Sequence, residues 1–477
     1  MSAAEDTISA EDIENKTLSA ILTGPIASTL LKMAAPNIIG FLVMSGVTMA
    51  EMWYVGQLGT SALAGMALAF PMIMLMQMLS AGSMGGVIAA TTARAIGGGQ
   101  VALANRIVWH AIAVAVATSV LFSVLFLIFG PAIYKTIGGN EDNLKHAVAY
   151  SNTFFAGVLA VWLFNIFASL ARGAGDMKIP ARTMVIVAVA QVISGGLLSQ
   201  GWFGLPSFGI AGISGGMILA NSIGTLIMLR KLRAGVNGIS FKREYLSFHK
   251  GVALDLLKVG SVATLNPFLS VTSVVLLTAL VSQFGEAFLA GFGIGARLEF
   301  ILVPIVFGLG AAMISMVGSN IGAGQVKRAE RIGWIGGSMA ALVCGAIGLF
   351  VGLVPAGWAG LFTRDAVVFA AAAEYLIVVG PSYLFFGLGL SLYFASQGAH
   401  AVVWPVMASV GRLAVAVGLG SWLLHLQAGY QALLFCVAGS LIAYGLGASL
   451  PLLLGSWRRA NRSLTTAGQG SVPASRA

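Results

Sequence analysis

Glu51 is the foremost of the few carboxylates, among sixteen Asp and Glu residues, that stand inside a long apolar run. A charge in hydrocarbon costs about 2.5 kcal/mol or more unless it is paired or wet, so such a residue marks either an ion path or an interface. Counted from Met33, where the first run begins, Glu51 is about 27 Å along a helix at 1.5 Å per residue, toward the far side of a membrane. A carboxylate there can take up a proton or a cation and release it on the other side. It can also simply snorkel to the interface; ion coupling is the expectation adopted. Asn165 and Gln191, on other apolar runs, are candidates to complete that cation-coupling site. Asn37, Thr48 and Gln77 are candidates for a substrate pathway beside it. Each could instead bond a neighbouring helix, the commoner use of membrane Asn and Gln.

A second group of charges lies later in the chain. Arg297 and Glu299 are two residues apart, so on a helix they point about 200° from each other and cannot pair directly. Arg412 and Glu374 are the available partners, and the four are expected to form a structural ion network. On that view Arg297→Ala strands a buried charge. Met66, Met72, Met74, Met76, Met78 and Met84 crowd one run, where packing or contact with lipid is the expected use, although Met surfaces also suit varied ligands. The glycine clusters Gly97-Gly-Gly99 and Gly173-Ala-Gly175 lack the strand, lysine or downstream acid of a nucleotide loop, so no ATP site is expected. Cys344 and Cys436 sit in apolar runs and the five histidines are scattered, which leaves no metal or disulfide framework, and no cofactor is expected.

The elements that hold these residues follow from composition. The chain is 58% hydrophobic and 9% charged, too little charge to cover a water-facing surface, which excludes a soluble enzyme and makes lipid the main solvent. Cutting the apolar runs at charges and Gly/Pro breaks gives twelve spans: 33–55, 62–91, 107–129, 147–170, 183–201, 209–230, 258–281, 287–316, 332–355, 370–396, 403–425 and 431–455. A membrane barrel is disfavoured, because its segments would alternate. With the N-terminus inside, 21 of 26 Lys and Arg fall on the cytoplasmic side, three (Lys135, Lys145, Arg364) outside and two within spans. That topology accounts for the net charge of +10 without nucleic acid.

The chain also repeats. Val55–Gly65 matches Val281–Gly291 at six of eleven positions, offset 226, and Gly97–Trp109 matches Gly322–Trp334 at eight of thirteen, offset 225. Gly173-Ala174…Pro180 and Gly398-Ala399…Pro405 keep the 225 offset. Six spans per half is an even number, so both halves enter the membrane the same way, as parallel repeats. The expected fold is an all-α membrane protein of twelve helices in two pseudo-symmetric six-helix lobes. Its segments are a cytoplasmic N-terminus (1–32), an N-lobe (33–230), a basic cytoplasmic linker (231–257), a C-lobe (258–455) and a cytoplasmic tail (456–477). Two such lobes around a central site suit a secondary transporter that works by rocking.

Glu51-Met-Trp-Tyr-Val-Gly-Gln-Leu-Gly-Thr-Ser-Ala-Leu-Ala-Gly65 resembles the end of the first helix of multidrug and toxic compound extrusion (MATE) transporters, where an acid precedes V-G-x-L-G-x-x-A-L-A. Arg172-Gly-Ala-Gly-Asp176, Arg297-Leu-Glu299…Pro304 with Gly318-Ser-Asn320, and Gly380-Pro-Ser-Tyr383 resemble further family segments; together they span about residues 30 to 455. The resemblance implies cation-coupled export of amphipathic, often cationic compounds across the inner membrane. The chain departs from it in two ways: the usual first-helix Asp is a Glu, and the fifth span offers Gln191 and Ser194 in place of an acid. A hard cation needs several oxygen ligands and a proton needs one carboxylate, so H⁺ is expected over Na⁺. The expected partners are therefore small organic cations, H⁺ or Na⁺ and the bilayer, for a monomer. A lipid-linked precursor flippase of the same superfamily is the alternative, disfavoured because only Arg297 and Arg412 are basic within spans. An intramembrane enzyme is a further rival, which lacks a convincing catalytic pair.

Overall fold

Apolar runs of this length satisfy every backbone group internally when helical, the condition for crossing lipid. In the computed structural model, which describes residues 10–204, 206–246 and 249–458, they become helices throughout. An N-terminal helix α1 (Ala10–Thr23) precedes the spans α2 (Ile26–Gln57), α3 (Thr60–Gly97), α4 (Val101–Thr136), α5 (Glu141–Ala156 with Val158–Gly173), α6 (Lys178–Gln200) and α7 (Ile210–Ala234). The second half runs α8 (Lys250–Phe284), α9 (Glu286–Gly322), α10 (Val326–Leu353), α11 (Ala366–Gly398), α12 (Val403–His425) and α13 (Tyr430–Leu453). Eleven of these spans qualify singly as membrane-crossing, and α5, bent 51° at Gly157, makes the twelfth. The only strand-like pairing among the described residues is one bridge, Val236 to Ile239, in the connection between α7 and α8.

The helices outrun the boundaries set by charge. Thus α2 begins seven residues before Met33, at Ile26, and α4 extends to Thr136, because flanking Lys side chains can reach water from within a helix. The N-terminal segment is also more than a polar leader. Ile21 is buried, Asn320 of α9 donates to its carbonyl (3.2 Å), and Arg328 of α10 bonds the carbonyl of Gly24 just beyond α1. In the C-terminal tail, Arg458 pairs with Glu330, and this bond holds its guanidinium above the usual arginine range. Arg459, Arg462 and Arg476 lie outside the described residues.

The repeat is visible in the backbone. Gly59 and Gly285, equivalent at offset 226, both enter the next span with φ near +105° (107° and 103°), a conformation L side chains rarely adopt. Gly97 and Gly322, equivalent at offset 225, pack reciprocally across the lobes: a Cβ on Gly97 would lie 2.1 Å from the Ser319 carbonyl oxygen, and one on Gly322 2.1 Å from that of Arg94. This reciprocal contact closes the end of the molecule that carries α1 and the α7–α8 connection, here termed the base. Main contacts between lobes run along the basal part of α9 (Glu299–Gly322) with α2 and with Gly85–Gly97 of α3. Toward the opposite end, the rim, Thr60–Gln77 packs chiefly on Glu141–Ala156 of its own lobe, and Glu286–Ala296 on Ala366–Val379 of its own.

Candidate coupling site and inter-lobe seam

Glu51 is buried, 3% exposed, where α2 packs on α6. Its side chain is enclosed by the bundle rather than extended away from it. The Gln191 side-chain amide of α6 donates to its carboxylate at 2.7 Å. The other half of that amide, Gln191 Oε1, is buried without a hydrogen-bond partner. No Lys, Arg or His comes within 4 Å of Glu51 among the described residues. The pocket thus holds one carboxylate and one orphaned acceptor with no cation beside them. Tyr150 of α5, also buried, lies within electrostatic range of Glu51. Sequence spacing gave no hint of Tyr150, which reaches the site only because α5 packs into the same bundle.

The remaining first-lobe candidates separate. Asn165 donates to Ser80 Oγ (2.8 Å) on α3, so its one recorded side-chain bond goes to Ser80 rather than to Glu51. Asn37, fully buried, accepts from Arg172 Nε (3.4 Å) and donates to Met177 Sδ (3.1 Å). Arg172 also contacts Met184 Sδ (3.3 Å) and stands 5.5 Å from the Phe41 ring centroid, tying α2, α5 and α6 together. Thr48 is half-buried one turn before Glu51, and Gln77 Nε2 points to Met217 Sδ at 4.0 Å.

In the C-lobe the expected ion network is not formed as a set of pairs. Among the described residues no ion pair within 4 Å joins Arg297, Glu299, Glu374 or Arg412. Arg297 is exposed, with its guanidinium 5.3 Å from the Phe362 ring centroid, so the expectation of a buried charge there is corrected. Arg412 lies over the rings of Phe386 and Tyr444 (5.8 and 5.7 Å) and within electrostatic range of Glu299. Glu374 is half-buried near Tyr430. Aromatic faces take the place that carboxylates were expected to fill.

A polar seam that sequence did not indicate joins the lobes. Pro267 in α8 has no N–H, which frees the carbonyl of Ala263 one turn earlier. Tyr393 of α11 donates to that carbonyl at 3.0 Å and Ser83 of α3 at 3.2 Å. Ser83 belongs to a π-helical turn, Met78–Met84, a local defect often found at functional positions. Within that turn the Gly82 carbonyl accepts from Gln397 Nε2 of α11 at 3.1 Å. The signal available in sequence was Pro267; the π-turn has none.

Nearer the base, His400 has φ +54° where its repeat equivalent is Gly175, with φ +82°. Its Nε2 lies 3.2 Å from Thr91 Oγ1 of α3 and its Nδ1 3.6 Å from Asp255 of α8. Burial pushes the imidazole down to about 3, and nearby Arg94 adds to this.

Comparison with known proteins agrees with this architecture. The sequence profile described as MatE matches residues 36–197 and 263–422, one stretch in each lobe. A Shewanella oneidensis protein named FAD transporter is 23% identical over 84% of this chain and 90% of its own length. A Thermotoga maritima protein named probable multidrug resistance protein NorM is also 23% identical, over 80% and 82%. A solved structure titled as a MOP superfamily transporter from Pyrococcus furiosus, with a binding pocket of reverse polarity, superposes with a TM-score of 0.85 at 19% identity, covering 94% of this chain and 99% of that one. With both lobes matched by the family profile and twelve helices to cross the bilayer, the chain belongs to the MatE family: a multi-pass membrane transporter and not an enzyme.

Proposed function

We propose that the protein is a secondary antiporter that exports amphipathic, mainly cationic organic compounds in exchange for H⁺, by alternating access. The observation that carries the reading is the Glu51–Gln191 pair, an acid buried without a counter-cation beside an acceptor that lacks a hydrogen. A proton on Glu51 removes the uncompensated charge; its release leaves a carboxylate that attracts a cationic substrate. One carboxylate and one amide make a thin ligand set for Na⁺, which favours six or so oxygens as hard cations generally do. The names of the multidrug relatives support drug export, and the Lys/Arg distribution supports an inner-membrane location with the base and both termini in the cytoplasm. An anionic cargo, as the name of the Shewanella relative would suggest, or a lipid diphosphate, needs basic groups at the lobe interface. The seam residues Ser83, Tyr393 and Gln397 are uncharged, and Arg94 at the lobe contact lies at the closed base.

The test is export from proteoliposomes under separately imposed gradients. Export driven by a pH gradient, and indifferent to sodium at constant ionic strength, is expected. Sodium-driven export without a pH gradient overturns the choice of ion, and absence of export under either gradient overturns antiport.

A further inference from the structure

The seam has one unmet requirement. Gln397 is fully buried, and while its Nε2 donates to the Gly82 carbonyl, its Oε1 has no hydrogen-bond partner. That oxygen lies against Gly86 of α3, where a Cβ would fall 1.7 Å from it. The seam hydroxyls bond other groups: Tyr393 and Ser83 reach the Ala263 carbonyl and each other, and Ser409 donates to Asn266 Oδ1 at 2.5 Å. What Gln397 Oε1 lacks is therefore a donor.

The surroundings say what kind of donor. A Cβ on Gly82 would meet the Phe307 ring at 3.4 Å. From Phe307 the aromatic contacts continue to Phe41 on α2 (centroids 5.8 Å) and to Phe394 (4.8 Å), which in turn meets Tyr393 (5.4 Å). Both lobes contribute: Phe41 and Gly82 come from one, Phe307, Tyr393, Phe394 and Gln397 from the other. When the lobes part at this level, the Gly82 carbonyl loses its amide donor and the rings lose their mutual cover. An aromatic wall attracts a cation by its π faces, and uncommitted oxygens require that the cation bring an N–H.

We propose that the Gly82 carbonyl and Gln397 Oε1, walled by Phe41, Phe307, Phe394 and Tyr393, recognise the N–H of an organic ammonium substrate once the lobes separate. This rests on the export reading above and adds to it a substrate class: protonated amines preferred over quaternary cations of the same shape. In the closed seam Gln397 acts as the substrate's stand-in, donating to the carbonyl that the ammonium will occupy. Substrate binding and closure of the seam at this level then exclude each other.

A matched pair of fluorescent probes tests this, naphthylmethyl-dimethylammonium with one N–H and naphthylmethyl-trimethylammonium with none, titrated at pH 7 against the full chain in lipid nanodiscs. Wild type should bind the dimethyl probe about tenfold or more tighter, the effect of one hydrogen bond to a charged group. Gln397→Leu should narrow the gap several-fold by weakening only the dimethyl probe, whose N–H is left with the Gly82 carbonyl alone. Gln397→Glu, which keeps an acceptor, should preserve the preference. Gly86→Ala, with Gln397 intact, should narrow it likewise by displacing Oε1, and it serves where Gln397→Leu does not fold. Equal affinities in wild type, or a preference undiminished in both Gln397→Leu and Gly86→Ala, overturn the proposal. If both probes are still exported down an opposing pH gradient in that case, the export reading survives alone; if neither probe is bound or exported, both fall together.

Discussion

At the scale of single residues, the proposed antiport rests on an acid and an amide that touch at 2.7 Å between α2 and α6. Glu51→Gln, fixed neutral, should abolish exchange while leaving the fold intact, and Glu51→Asp should keep partial activity; exchange in proteoliposomes and detergent melting measure the two effects. Gln191→Leu should cut exchange at least tenfold, since the carboxylate loses the donor recorded for it and a desolvated charge bonded by nothing is costly. Arg297→Ala should now be mild, within about 1 kcal/mol of wild type in unfolding experiments, because the exposed guanidinium gives up one cation–π contact and no buried partner. A large loss of stability there would restore the buried network that the structure does not contain. Glu51 and Gln191 were legible in sequence because an acid in an apolar run is conspicuous. Asn165 was an equally reasonable candidate, and only the bundle geometry directs its recorded bond to Ser80.

At the scale of elements, the departures from regular helix matter most: the bend in α5, the π-turn in α3, Pro267 in α8 and the left-handed His400 between α11 and α12. Span number and order could be read from apolar length, and the repeats fixed how the halves relate. The π-turn could not, because an extra residue in a helical turn depends on what packs around it and leaves no compositional trace. His400 carries a consequence for pH. Its folded-state pKa, about 3, is below the unfolded value near 6.5, so protons bind the unfolded chain preferentially and stability is lost as pH falls through 6.5 toward 3. Between pH 7 and pH 5 that amounts to about 2 kcal/mol. His400→Asn, which tolerates the left-handed backbone, should flatten the fall in melting temperature over that interval. An unchanged slope would assign the pH dependence to other groups.

At the scale of the molecule, two lobes joined along the basal half imply that transport requires the base to open. A Cβ at Gly318 would lie 2.9 Å from the Ala93 Cβ, closer than the roughly 3.5–4.5 Å a disulfide spans, so cysteines at Ala93 and Gly318 should crosslink on oxidation after a small outward shift and stop transport until reduced. Cys344 and Cys436 are buried and would first be replaced. Undiminished transport by the crosslinked protein would show that the base does not move. Topology has its own check: a cysteine at Asn140 should react with an impermeant reagent on whole cells and one at Glu244 should not, and the reverse pattern would place the base outside. The most direct measurement of coupling needs no membrane at all. When an ammonium substrate is added to purified protein in weakly buffered detergent at neutral pH, wild type should release protons in proportion to the sites filled, and Glu51→Gln should release none. Substrate binding by wild type that releases no protons and tightens with sodium would contradict proton exchange at Glu51.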